Sequence, residues 1–124
     1  MRDSASTTSD WQIETIEGAV TAPAGFRAAG VSCGIKASGL DFALIVSDET
    51  ASAAGLFTTN RAVAAPVVLT RQNLARSGGL AKAIAVNSGC ANACTGSEGF
   101  EVARATADLV ARSVGCTPDQ VLVA

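Results

Sequence analysis

The sequence predicts an α/β fold, and three observations carry that reading. Short apolar runs of strand length recur at "FALIVS", "AKAIAVN" and "QVLVA", too short for confident helices. One longer segment, "SEGFEVARATADLVARSVG", has the three-and-four spacing of an amphipathic helix. Strand, helix and strand follow one another in the last third of the chain, which is the order of a βαβ unit.

Length and composition narrow the function classes. The chain has 124 residues, the size of one domain or part of one. With 48% hydrophobic and 16% charged residues it is no disordered tail. Its apolar content sits in short runs rather than a membrane-length segment, so a soluble globular chain is expected. Its Lys and Arg residues are scattered and the net charge is -2, so no basic footprint for nucleic acid exists. The leader "MRDSASTTSDW" lacks the apolar core of a secretory signal, and a cytoplasmic location is expected. Histidine is absent, which removes the commonest general base and metal ligand, so no Ser-His-Asp or Cys-His site can be completed.

In chain order, residues 1–10 are polar and rich in Ser and Thr and read as a disordered terminus, with order beginning near Trp11 and a single unit running over 11–124. Pro23 and Gly25 suit a turn between two extended segments in "IEGAVTAPAGFRAAGVSCGI". Gly30 and Gly34 suggest a bulge or a close backbone approach. "FALIVS", Phe42 to Ser47, reads as a strand covered on both faces, and Ala53 to Thr59 repeats the strand signal. Pro66 at a first helical position opens a short helix with Val67, Leu74 and Ala75 as its apolar residues and Gly78 and Gly79 as its end.

"AKAIAVN" is a buried strand, and the helix that follows carries Phe100, Ala103, Ala107, Val110 and Val114 on one face. Glu98 and Arg112 complement its dipole, Gly115 ends it and Pro118 prevents a restart. "QVLVA" is a further strand. A buried strand with no turn or polar tail after it leads to the expectation that the sequence is a piece of a longer protein.

The loop "AVNSGCANACTG", Ala85 to Gly96, joins the carboxyl end of a strand to a helix N-terminus, where α/β folds present N–H donors to ligands. Thr95 followed by Glu98 predicts a capping box. The loop is neither a P-loop nor GxGxxG, so nucleotide phosphate is unsupported. Asn87, Asn92 and Thr95 are the candidate binding residues. Asparagine amides can orient a carboxylate or amide, although in loops they more often bond their own backbone and permit left-handed geometry.

The cysteines Cys33, Cys90, Cys94 and Cys116 form no CxxC pair, and a zinc site would have to be gathered from three distant segments, so no metal is expected. Cys94 lies where helix N-termini lower thiol pKa values. Without histidine it reads as a packing residue, and both Cys90 and Cys94 are expected to be reduced, buried and metal-free in the assembled enzyme.

"TAPAGFRAAGVSCGIKASG", "GLFTTNRAVAAPV", "AVNSGCANACTG" and "VLVA", in this order, resemble the N-terminal part of the arginine-biosynthetic glutamate N-acetyltransferase (ornithine acetyltransferase) family. The resemblance covers nearly everything after Thr21. It departs at Cys90, where many members have Asn, which puts a polar role for that position in doubt. The resemblance implies a layered α/β sandwich, incomplete here, within a precursor that cuts itself before a threonine into α and β chains associated as α2β2.

It also implies acetyl transfer from N2-acetylornithine to the threonine and on to glutamate, with acetyl-CoA a further donor in bifunctional members and no cofactor. The threonine's own α-amino group can act as base, which requires no histidine. That threonine and the Thr-Gly of the oxyanion hole are expected beyond Ala124, so no catalytic residue is expected within 1–124. The rivals are a non-catalytic carboxylate-binding domain using the Thr95 helix start and a self-processing aminopeptidase of related architecture. The order of the four motifs argues against both.

Overall fold

The computed structural model describes residues 13–124; the expectations for residues 1–10 and Trp11 lie outside the described residues. The elements are β1 (Phe26–Val31), β2 (Phe42–Ser52), α1 (Ala65–Arg76), β3 (Leu80–Asn87), α2 (Gly96–Val114), a single 3-10 turn (Pro118–Gln120) and β4 (Val121–Val123). They build one sheet in the order β1-β2-β3-β4. β1, β2 and β3 run antiparallel to their neighbours, while β4 lies parallel to β3 after the α2 crossover. The α/β class is as the sequence predicts.

Helix α2 packs on one face of the sheet, while α1 lies along the outer edge of β4 and reaches the same core with Leu69. Strand alternation puts Ala81, Ala83 and Ala85 on that face, buried. Across the sheet Leu44 pairs with Ala85 and Val46 with Ala83, and both join Phe42 against the core. Ala103, Ala107, Val110 and Ala111 of α2 and Leu69 of α1 complete it with Val121 and Val123. Alanines on β3 and α2 permit a close approach of helix to sheet.

The α2 stripe matches the sequence reading, with Phe100 and Val114 half-buried at its ends. Gly115 closes the helix at φ 72, its N–H bonding the Ala111 carbonyl.

Several sequence expectations are corrected. "FALIVS" is half-buried rather than covered on both faces, because Phe42, Leu44 and Val46 face the core beneath α2 while Ile45 points to the other face with Ile84 and Val86. The strand expected over Ala53–Thr59 is irregular. β2 instead runs on to Ser52 past a register shift between Val46 and Ala51. Gly55 lets the chain fold against the Phe57 ring and Leu74, and Phe57 sits under the Arg71 guanidinium, 5.0 Å from its centroid.

The first of the two extended segments before β1 is also no strand, since turns occupy that stretch. The short helix opened by Pro66 is present as α1; its buried residues are Pro66, Leu69 and Asn73, and it meets β4 with a mixed apolar and polar edge. Pro118, expected to prevent a restart after Gly115, instead opens the 3-10 turn, where Gln120 accepts from the Thr117 N–H at 3.3 Å. Gly30 pairs regularly with Ala43 without a bulge, and the close approach there is to Leu40, 3.3 Å from where a Cβ would stand.

Candidate functional site

The carboxyl ends of β3 and β4, the N-terminus of α2 and the loop between β1 and β2 surround a cleft of about 680 Å³. Phe42, Val102, Ala103 and Val123 give it apolar walls, and Asn87, Asn92, Thr95 and Glu98 bring polar groups to it. The three candidate binding residues of the sequence reading are thus brought together on one surface.

The loop after β3 is held by its own asparagines. Asn87 Nδ2 donates to the Cys90 carbonyl at 2.7 Å; its Oδ1 accepts no hydrogen bond among the described residues. Asn92 takes the left-handed conformation at φ 49 that its residue type permits. Its Nδ2 donates to the Gly99 carbonyl at 2.7 Å and its backbone carbonyl accepts the Ala65 N–H at 3.1 Å. One residue therefore ties the starts of α1 and α2 together.

The capping box expected at Thr95 and Glu98 is absent. Thr95 sits at φ -95, ψ 3, outside the extended conformation of an N-cap, and makes no cap hydrogen bond. Its hydroxyl turns back to donate to Asn92 Oδ1 at 2.6 Å. The missing cap follows from the Thr95 backbone, whose non-extended conformation does not aim the hydroxyl oxygen at the first-turn N–H groups. Glu98 lines the cleft instead of closing a box.

Sequence reasoning missed Gly99 and Asp41. A Cβ at Gly99 would collide with Thr95 Oγ1 and Asn92 Oδ1, so only glycine lets the loop lie on the helix. The hidden signal was Gly99 inside an otherwise strong helical pattern, since glycine there costs about 1 kcal/mol unless close packing requires it.

Asp41 is 2% exposed. Its carboxylate accepts the Cys33 and Ile35 N–H groups at 2.7 Å and the Lys36 N–H at 2.9 Å. The Cys33 N–H above all, then that of Lys36, holds its carboxyl well below the usual carboxylate range. The same carboxylate, through a side-chain hydrogen bond, pushes the Cys33 thiol up. Its backbone carbonyl accepts the Ser88 N–H at 2.9 Å, joining the β1–β2 loop to the cleft. Gly89 then lies against Ile35 and Lys36 with no room for a side chain, and Ile35 forms the cleft's outer wall.

Cys90 and Cys94, expected to be buried in the assembled enzyme, are exposed in this chain taken alone, as is Cys33; Cys116 is half-buried. The loop's left-handed turns, which include Cys94 at φ 59, direct both loop thiols away from the alanine core. Burial pushes the Cys116 thiol up. Among the described residues no three metal-ligating side chains gather.

The ArgJ family model matches residues 27–124. The arginine biosynthesis bifunctional protein ArgJ of Thermosynechococcus vestitus is 55% identical over 117 residues, which cover 94% of this chain and 27% of that protein. The crystal structure of the protein of the same name from Bacillus halodurans superposes with a TM-score of 0.82 at 37% identity, over 86% of this chain and 55% of that one. Ornithine acetyltransferase of Mycobacterium tuberculosis, solved in complex with ornithine, gives a TM-score of 0.78 at 48% identity, over 84% of this chain and 56% of that one. The chain spans about a quarter of the length of the curated relatives it matches.

Proposed function

The chain belongs to the ArgJ family, and from that premise we propose that it forms the N-terminal part of an enzyme that transfers acetyl from N2-acetylornithine to glutamate in arginine biosynthesis. The observation that carries the reading is the cleft at the carboxyl ends of the parallel pair β3 and β4, with Ala124 on its wall. The Thr-Gly pair that the family resemblance puts after Ala124 would enter this cleft directly, with backbone N–H groups aimed at a developing oxyanion. The M. tuberculosis relative binds ornithine, and the word bifunctional in the relatives' names supports acetyl-CoA as a second acetyl donor.

In this reading the nucleophile is the N-terminal threonine of a β chain released by self-cleavage, with its α-amino group as base. The two chains remain together as an α2β2 assembly. Residues 1–124 supply no catalytic group. Asn87 offers an uncommitted acceptor to an amino-acid substrate, and Asn92 and Thr95 hold the wall on which the substrate lies. Among the described residues no helix is long and apolar enough to cross a membrane, and the proposed location is cytoplasmic.

The test is ornithine release by the purified intact protein given N2-acetylornithine and glutamate. Transfer with ping-pong kinetics is expected. Glutamate binding to a correctly processed protein without any ornithine release would replace the reading with a non-catalytic amino-acid-binding domain.

A further inference from the structure

β4 is the outermost strand of the sheet among the described residues, yet its outer edge is not open. Helix α1 borders it where another strand would lie, and two α1 side chains take over that strand's hydrogen bonds. Thr70 Oγ1 donates to the Val123 carbonyl at 2.7 Å and accepts the Val123 N–H at 2.8 Å. One turn further along α1 and two residues earlier in β4, Asn73 Nδ2 donates to the Val121 carbonyl at 2.8 Å and, beyond the strand, to the Pro118 carbonyl at 3.1 Å. Asn73 is 2% exposed, so its amide has no water to fall back on.

On the inner edge the Ala124 N–H bonds the Ala85 carbonyl at 2.8 Å and the Ala124 carbonyl accepts the Asn87 N–H at 2.9 Å. β4 is thus gripped from both sides up to the mouth of the cleft.

We propose that Thr70 and Asn73 are positioning residues for acetyl transfer: through them α1 sets the place of β4, and with it the place of Val123 and Ala124 on the wall of the cleft. The identity of the reaction rests on the proposed function; the clamp itself does not. Oxyanion stabilisation needs donors held to within tenths of an ångström. A threonine hydroxyl can donate and accept at once, and serine shares this ability, whereas valine of the same shape has neither. Thr70→Val therefore leaves the Val123 N–H and carbonyl unpaired without emptying the site, and β4 must shift to find partners.

The experiment uses the intact, processed protein with Thr70→Val, Thr70→Ser and Asn73→Leu, and reads kcat and KM for ornithine release per folded site together with amide hydrogen exchange at Val123. Thr70→Val is expected to lower kcat roughly ten- to a hundredfold with KM changed less than about twofold, the size expected of an ångström-scale displacement. Thr70→Ser is expected to restore kcat, and Val123 exchange is expected to rise about tenfold or more in Thr70→Val, as for an edge group opened to solvent. An unchanged kcat per folded site in Thr70→Val, or an equal loss in Thr70→Ser, overturns the positioning role. Where Thr70→Val fails to fold, Thr70→Ala, which relieves packing at the same site, is judged by the same criteria. If the wild-type protein releases no ornithine, the proposed function fails by itself. Val123 exchange, which needs no substrate, then decides the clamp, and unchanged exchange overturns it.

Discussion

Asn92 and Gly99 are locked face to face: the asparagine amide donates to the glycine carbonyl at 2.7 Å, and the space a side chain would need at residue 99 is already filled by Asn92 and Thr95. The wall of the cleft therefore depends on a missing methyl group inside a helix. Gly99→Ala should destabilise the intact protein by about 2 kcal/mol, as overpacking does, although alanine is the better helix former. A denaturant melt checks this, and a gain in stability would show that the loop yields.

Thr95 supports the loop rather than the helix. Thr95→Val should cost about 1 kcal/mol by removing the bond to Asn92, and Thr95→Ser should cost less. Because no capping box forms, Glu98→Gln should change stability by no more than about 0.5 kcal/mol, the scale of a charge near a helix N-terminus. A loss as large as that of Thr95→Val would restore the box.

Asp41 gives the fold an acid limb. Its folded-state pKa is depressed by the N–H groups of Cys33, Lys36 and Ile35, so its contribution is complete above the unfolded carboxyl value of about 3.9 and is lost as pH falls below it. Asp41→Asn should lower stability at neutral pH and flatten the loss between neutral and acid. Thermal melts from pH 7 to pH 3 measure both effects; parallel curves for variant and wild type would contradict the assignment.

The chain 1–124 prepared alone should release no ornithine and should aggregate on concentration. Ile45, Ile84 and Val86 lie on a sheet face that no described element covers, and β1 is exposed along its length, the arrangement that promotes pairing between copies. Light scattering alongside the ornithine assay checks this, and co-expression with the remainder of the precursor should restore solubility. Turnover by a monodisperse sample would place the chemistry within these residues, with Cys94 the leading nucleophile.

The sequence by itself determined what periodicity and local turn chemistry can determine. The strands at Phe42, Ala81 and Val121, the α2 stripe with its Gly115 stop, and the strand-to-helix position of the Ala85–Gly96 loop all follow from patterns a few residues long. Ordered motifs added the family. What only the tertiary structure decided are the pairings between distant residues. Thr95 reads as a cap until Asn92, turned left-handed, takes its hydroxyl. Gly99 reads as a flaw in the helix until the loop lies on it, and Asp41 as a turn residue until three N–H groups close round it. Thr70 and Asn73 carry no signal of their own in the sequence, and they gain a role only when β4, about fifty residues later in the chain, packs beside them. A hydrogen bond is directional and short-ranged, so its partner is fixed by where the packed elements bring the chain, whereas burial repeats with the period of each element and is written in the sequence from the start.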